Sequence, residues 1–207
     1  MTRSYIEMGV NYGGGVSGSE GARLANLLGA LATGLTDRMQ DAARDSARLD
    51  GSDSTALIAL LDFSPDGTVQ ALSQICGLTH SGGVRLVNRL AAAGYMKRSP
   101  GRNARSVTVT LTPAGRAAAL ALRAARHAAI AATTNGLTKL QREELARACA
   151  TMINALTRHR LARRADGESP AGGALCRLCD FGACQRADGN CPAARAAQSR
   201  SGTPDSV

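Results

Sequence analysis

Leu78-Thr79-His80-Ser81-Gly82-Gly83-Val84-Arg85-Leu86-Val87-Asn88-Arg89-Leu90 is the stretch whose reading decides the fold. Thr79 is a helix-capping residue type, and Val84, Leu86, Val87 and Leu90 recur at the spacing of one helical face. His80, Ser81, Arg85, Asn88 and Arg89 occupy the polar side of the same helix. Just upstream, Thr68 caps a shorter helix that offers Val69, Leu72 and Ile75, and Gly77 suits the left-handed position that ends it. A helix, a short glycine-containing turn and a second helix make a helix-turn-helix.

Beyond Gly94 the period changes. Tyr95-Met96-Lys97-Arg98 reads as a short strand, and Ser99-Pro100-Gly101-Arg102-Asn103 as a turn. Val107, Val109 and Leu111 then alternate with Ser106, Thr108, Thr110 and Thr112, the pattern of a half-buried strand. Together they predict a β-hairpin with a basic tip. Thr112-Pro113 starts a long helix to about Thr133, broken at Asn135-Gly136. Thr138 and Gln141 form a capping box for a last long helix, which displays Leu140, Leu145, Cys149, Met152, Ile153 and Leu156 and fades at Arg163-Arg164.

On the N-terminal side, Leu24, Leu27, Leu28, Leu31 and Leu35 mark a helix from Glu20 to near Asp50-Gly51. A second helix, Thr55 to Phe63, stops at Ser64-Pro65-Asp66-Gly67. The fold class is therefore mainly α with a small β-hairpin wing: a winged helix-turn-helix plus long helices. The expected organisation is a flexible N-terminus over 1–19, a helical domain over 20–163, a linker over 164–175, a cysteine-rich module over 176–192 and a disordered tail over 193–207.

Charge points to a partner. Of the 207 residues 25 are Lys or Arg and 16 Asp or Glu, and residues 67–142 hold eleven of the cations and no carboxylate. Such a field attracts a polyanion, and phosphate neutralisation supplies most sequence-independent DNA affinity. Arg and Asn on the second helix suit bidentate base contacts, and Thr79, Ser81 and the helix N-terminus suit phosphate. Gly82-Gly83 costs roughly 1 kcal/mol per residue of helix stability but would let the backbone approach DNA. Lys97, Arg98, Arg102 and Arg105 extend the basic surface onto the hairpin. No apolar segment follows a basic start and none reaches membrane-spanning length, so a cytoplasmic protein without membrane contact is expected. No nucleophile–base motif, phosphate loop or paired metal-binding histidine argues for an enzyme.

The run from Leu78 through Gly94-Tyr95 to Arg105-Ser106-Val107-Thr108-Val109-Thr110-Leu111-Thr112-Pro113-Ala114-Gly115-Arg116 resembles the MarR-type winged-helix regulators. The match is best over about 55–134, and the helical order extends it to roughly 20–163. The resemblance implies a homodimer built by the first and last helices on a palindromic operator in double-stranded DNA. One recognition helix would enter each major groove and one wing each flanking minor groove. Repression, released by a small-molecule or redox effector, is the usual role. The family's wing tip carries Asp-x-Arg; here it is Asn103-Ala104-Arg105, so Arg105 fits the groove-inserting role without a carboxylate to steady it.

Cys176, Cys179, Cys184 and Cys191 lie beyond anything the resemblance covers, spaced C-x2-C-x4-C-x6-C. Four thiolates in one loop suit zinc, and C-x2-C is a common knuckle, although x4 and x6 do not repeat the usual second pair. An iron–sulfur cluster is the alternative, with Cys191-Pro192 in its favour. A third reading is a metal-free thiol switch, with Arg177 and Arg186 lowering a thiol pKa. Asp180 would be an acceptor behind the thiolates or a substitute ligand. Cys76 and Cys149 fall on apolar helical faces and read as core; His127 and His159 read as surface or packing residues. The competing function is a winged-helix protein–protein module with a structural zinc knuckle.

Overall fold

The computed structural model describes residues 18–47, 49, 51–101, 107–168 and 172–201. The expected wing tip, with Arg102, Asn103, Ala104 and Arg105, lies outside the described residues, as do 1–17 and 202–207. Two compact units are formed, Met1–Asp37 and Arg38–Val207. Of the first, the described part is the N-terminal portion of α1 (Gly18–Ala47), whose Leu24, Leu27, Leu28 and Leu31 are all exposed.

The second unit is organised around α2 (Gly51–Asp62), in which Ala56, Leu57, Ile58, Ala59 and Leu60 are all buried. A helix apolar on every side has to be central. It begins four residues before the expected Thr55, because Thr55 Oγ1 bonds back to Gly51 O (2.7 Å) and Asp53 sits in the first turn. Around it lie α3 (Val69–Cys76), α4 (His80–Ala92) and α5 (Pro113–Thr134), which contribute Leu72, Leu86, Val87, Leu90, Ala119 and Leu122 to one core.

The caps fall where the sequence places them. Thr68 accepts from Ala71 N, Thr79 from Gly82 N and Thr112 from Gly115 N, while Gly77 adopts φ +71° at the end of α3. Thr138 and Gln141 close both bonds of a capping box on α6 (Lys139–Ala165). No side chain of α6 is buried: Leu140, Leu145, Met152 and Leu156 are exposed.

The hairpin strands are β2 (Met96–Pro100) and β3 (Val107–Leu111), antiparallel in register Met96↔Leu111 to Pro100↔Val107. A third strand, β1 (Gly67–Thr68), pairs on the other edge of β3 as Gly67↔Val109 and Thr68↔Thr108. Two residues are too few to show an alternation, so the sequence reads them as turn and cap. At the base of the wing the Thr112 hydroxyl donates to Gly94 O (2.6 Å) while accepting from Gly115 N (3.0 Å), and Thr112 N donates to Tyr95 O (3.0 Å). A Cβ on Gly115 would lie 1.8 Å from Tyr95 O, so helix and strand meet backbone to backbone.

The C-terminal region differs from expectation twice. Gly172 to Ala174 does not behave as a linker: Ala174 N bonds Ile75 O (2.9 Å), and Arg160 Nη1 donates to Gly173 O (2.6 Å). In place of a disordered tail, Pro192–Ser201 forms α7, which packs on α6. Ala193 and Ala196 are buried and Ala197 half-buried, an i, i+3, i+4 stripe of small side chains that a reading of composition overlooks.

Candidate nucleic-acid interface and cysteine module

The polar face of α4 is presented to solvent. His80, Ser81, Arg85 and Asn88 are exposed, as are Thr79 at the cap and Lys97 and Arg98 on β2. Thr79 Oγ1 and Ser81 Oγ lie 3.3 Å apart at the helix N-terminus. Asn88 Oδ1 accepts from Arg98 Nη2, which ties α4 to the wing. An open groove of about 410 Å³ runs between the start of α3, α4 and the wing, lined among others by Gln70, His80, Val84 and Arg98.

Two expectations for this surface are corrected. Arg89, expected to face DNA, turns its guanidinium to Asp53: its Nε donates to Asp53 Oδ2 (2.9 Å) and its Nη2 to Asp53 Oδ1 (2.6 Å). Asp53 is 4% exposed, and a buried carboxylate holds its cation because leaving the charge unpaired is costly. Arg89 therefore clamps α4 to α2. Gly83 serves packing rather than DNA approach, since a Cβ there would lie 1.7 Å from Ser73 Oγ. The absence of a side chain is what lets α3 and α4 close. The Asp53–Arg89 pair was beyond sequence reasoning, because two residues 36 apart carry no spacing signal.

The cysteine loop is shaped by turns between Leu175 and Asn190. Cys184 N bonds Asp180 O (3.1 Å), and Asp180 Oδ1 accepts from Ala183 N (3.0 Å). That backbone bond, chiefly, holds the Asp180 carboxyl below its usual range, with Arg123 adding to the effect. Asp180 is thus engaged in folding its own loop and in an ion pair with Arg123 (3.6 Å), while its charge also acts on the Cys184 thiol. Asp62 carries the junction further: Oδ2 accepts from Arg123 Nη1 (2.7 Å) and from Phe181 N (3.3 Å). The Phe63 and Phe181 rings lie 5.8 Å apart at 58°.

None of the six cysteines is joined in a disulfide. The loop thiols act on one another. Cys179 donates to Cys176, holding Cys176 below the ordinary thiol value and pushing Cys179 up. Cys184 is raised by burial and by the Cys179 and Cys191 charges. Arg186 stacks over Phe181 (4.6 Å) with Nη1 3.9 Å from Cys191 Sγ, and its charge favours the Cys176 thiolate. Arg126 of α5 favours the Cys179 thiolate, and its Nε is buried without a hydrogen-bond partner among the described residues. Arg177 faces Cys76 instead, where burial dominates and the thiol is pushed up to about 11. Among the described residues, no three His, Cys, Asp or Glu side chains stand in a ready metal-holding arrangement. Cys149 is half-buried on a helix with no buried residue and His159 is exposed, so Cys149 is not core. No described helix is long and apolar enough to cross a membrane.

Comparison with solved structures places this architecture. A MarR family protein from Bacillus stearothermophilus superposes with a TM-score of 0.62 at 22% identity, over 69% of this chain and 99% of that one. The fold is that of the MarR proteins. RV1404 from Mycobacterium tuberculosis gives 0.58 at 21% identity, over 69% of this chain and 97% of its own. FabT from Streptococcus pneumoniae, solved in complex with DNA, gives 0.57 at 17%, over 65% and 96%. No family model matches the sequence, and no curated protein matches it.

Proposed function

We propose that this MarR-fold chain is a sequence-specific DNA-binding transcription regulator, a repressor that acts as a homodimer on a palindromic operator. The observation that carries the reading is the exposed face of α4 with Arg85 and Asn88 at its centre, continued by Lys97 and Arg98 on the wing. It lies within a run of 76 residues, 67–142, that holds no carboxylate. Arg85 and Asn88 read base edges; Thr79, Ser81, Lys97 and Arg98 take phosphates. His80 sits beside them at the start of the helix. That FabT, of the same fold, is solved with DNA supports the geometry. The exposed leucines of α1 and α6 are the surfaces a second copy would cover, since contiguous exposed apolar stripes mark association sites.

The four cysteines form the second part of the proposal: a thiolate metal site for zinc or, alternatively, an iron–sulfur cluster. Support comes from the C-x2-C-x4-C-x6-C spacing, the mutual interaction of the thiols, and the Arg126 and Arg186 charges that offset a thiolate cluster. The ligands would be Cys176, Cys179, Cys184 and Cys191.

Enrichment of duplexes from a random pool tests the DNA reading, with affinity then followed across a salt series. Arg85→Ala should cost about 1–3 kcal/mol of binding and relax the preference at one position. Absence of binding at low salt would sink the regulator and leave the protein–protein module. Metal analysis and the visible spectrum of protein purified without oxygen separate zinc from an iron–sulfur cluster, and neither metal leaves the thiol switch.

A further inference from the structure

We infer that the cavity between α6, α7 and the end of α2 is a binding site for a short aliphatic carboxylate, with Arg160, Arg164 and Arg186 for its charged end and Phe63, Leu161 and Ala194 for its alkyl chain. The inference needs neither the DNA reading nor any reading of the thiols.

Helical period builds one wall. Arg164 stands four residues from Arg160 and three from Leu161, the spacing that keeps all three side chains on one side of α6. The facing helix, α7, packs on α6 and presents Ala194 there. Its small side chain leaves space that a longer one would fill. Phe63, just past the end of α2, closes the apolar end.

Cations gather around this space and carboxylates do not. Among the described residues no Asp or Glu lines the cavity. Glu168, close in the chain, is taken by Arg163, and Asp62 and Asp180 are taken by Arg123. The arginines are set in place by other contacts. Arg160 Nη1 donates to Gly173 O (2.6 Å), which leaves its other N–H groups for a second acceptor. Gly173 is itself set against Ile75 O, which a Cβ there would approach to 2.2 Å. Arg186 is steadied by the Phe181 ring, 4.6 Å from its guanidinium carbon.

Three like charges about one cavity repel one another, and an anion among them turns that repulsion into attraction. Guanidinium groups present paired donors that match the two oxygens of a carboxylate. Leucine and alanine in the rest of the lining give a bare inorganic anion nothing to bind, so the ligand carries an alkyl chain. The cavity, about 180 Å³, is small beside the roughly 300–1,000 Å³ of drug-sized sites, so that chain is short.

The test titrates the full chain with hexanoate, with 1-hexanol and with inorganic phosphate, following amide chemical shifts. Hexanoate should move the Leu161 and Ala194 amides saturably. Hexanol, which lacks the charge, should bind roughly tenfold more weakly or worse, and so should phosphate, which lacks the chain. Arg164→Ala should weaken hexanoate roughly five- to tenfold, with Arg164→Lys recovering part of the loss. Ala194→Leu should fill the cavity and remove binding, with thermal melting showing that the fold is kept. Because Arg164 is exposed, its variants decide the matter even if Ala194→Leu does not fold. Hexanol binding as well as hexanoate overturns recognition by the arginines, and phosphate binding as well as hexanoate overturns the role of the chain. Shifts that never saturate, or that leave Leu161 and Ala194 unmoved, overturn the site.

Discussion

Leu57, Leu72, Leu90 and Val109 of the winged-helix core are each under 2% exposed, whereas between Leu175 and Asn190 no residue is buried. The core is held by apolar area distributed over six elements. The cysteine loop is held by a handful of polar contacts, one aromatic pair, its thiols and Leu178, which packs against the edge of that core. Burial is tolerant of chemistry and intolerant of volume, while a junction built from Asp62, Arg123 and Asp180 is the reverse. Two regions in one compact unit should therefore respond to different insults.

The sharpest way to separate them begins in the core. Leu57→Ala should cost about 2–5 kcal/mol through lost burial and the cavity left behind. Denaturant unfolding reads it, and a cost under 1 kcal/mol would mean that α2 is not the centre of the fold. Asp53→Ala comes next. It removes the Asp53 carboxylate that Arg89 grips, and because Arg89 is half exposed the full buried-pair penalty does not apply, leaving about 1–3 kcal/mol. Operator binding should fall with it as α4 loses its clamp to α2, and an unaltered midpoint would return Arg89 to the list of DNA-facing cations.

Asp62→Ala probes the junction rather than the core. Global stability should drop by only about 0.5–1.5 kcal/mol, but amide exchange at Phe181 should rise well above that of β3. Equal rises in both regions would show that loop and core unfold as one, which erases the contrast. The smallest effect belongs to Lys97→Ala. It should weaken DNA binding evenly across sequences and reduce the salt slope by about one; a change in sequence preference instead would mean that Lys97 reads bases.

Local chemistry explains what the sequence reveals and what it hides. Thr68, Thr79, Thr112 and Thr138 cap helices because a capping hydroxyl bonds an amide three residues on, which is a statement about neighbours. The inward set of α4 follows from helical period, and Leu86, Val87 and Leu90 are buried as that period requires. Arg89 is hidden because its partner lies in another helix, and β1 because two residues have no period. The role of Gly83 depends on Ser73, and that of Gly173 on Ile75, across 98 positions of chain. The α7 stripe of alanines is faint because Ala signals helix strongly and burial weakly.

The joint at Thr112 has a mechanical consequence. One hydroxyl bonds Gly94 O and Gly115 N together, Thr112 N grips Tyr95 O, and Gly115 closes the remaining space. Such a hinge has no slack. Torque applied to α5 is delivered to the end of α4 and the root of the wing without being absorbed in between. The helix α4 and the strands β2 and β3 then follow α5 as one piece, and a small twist of the long helix becomes a displacement that grows with distance from Thr112.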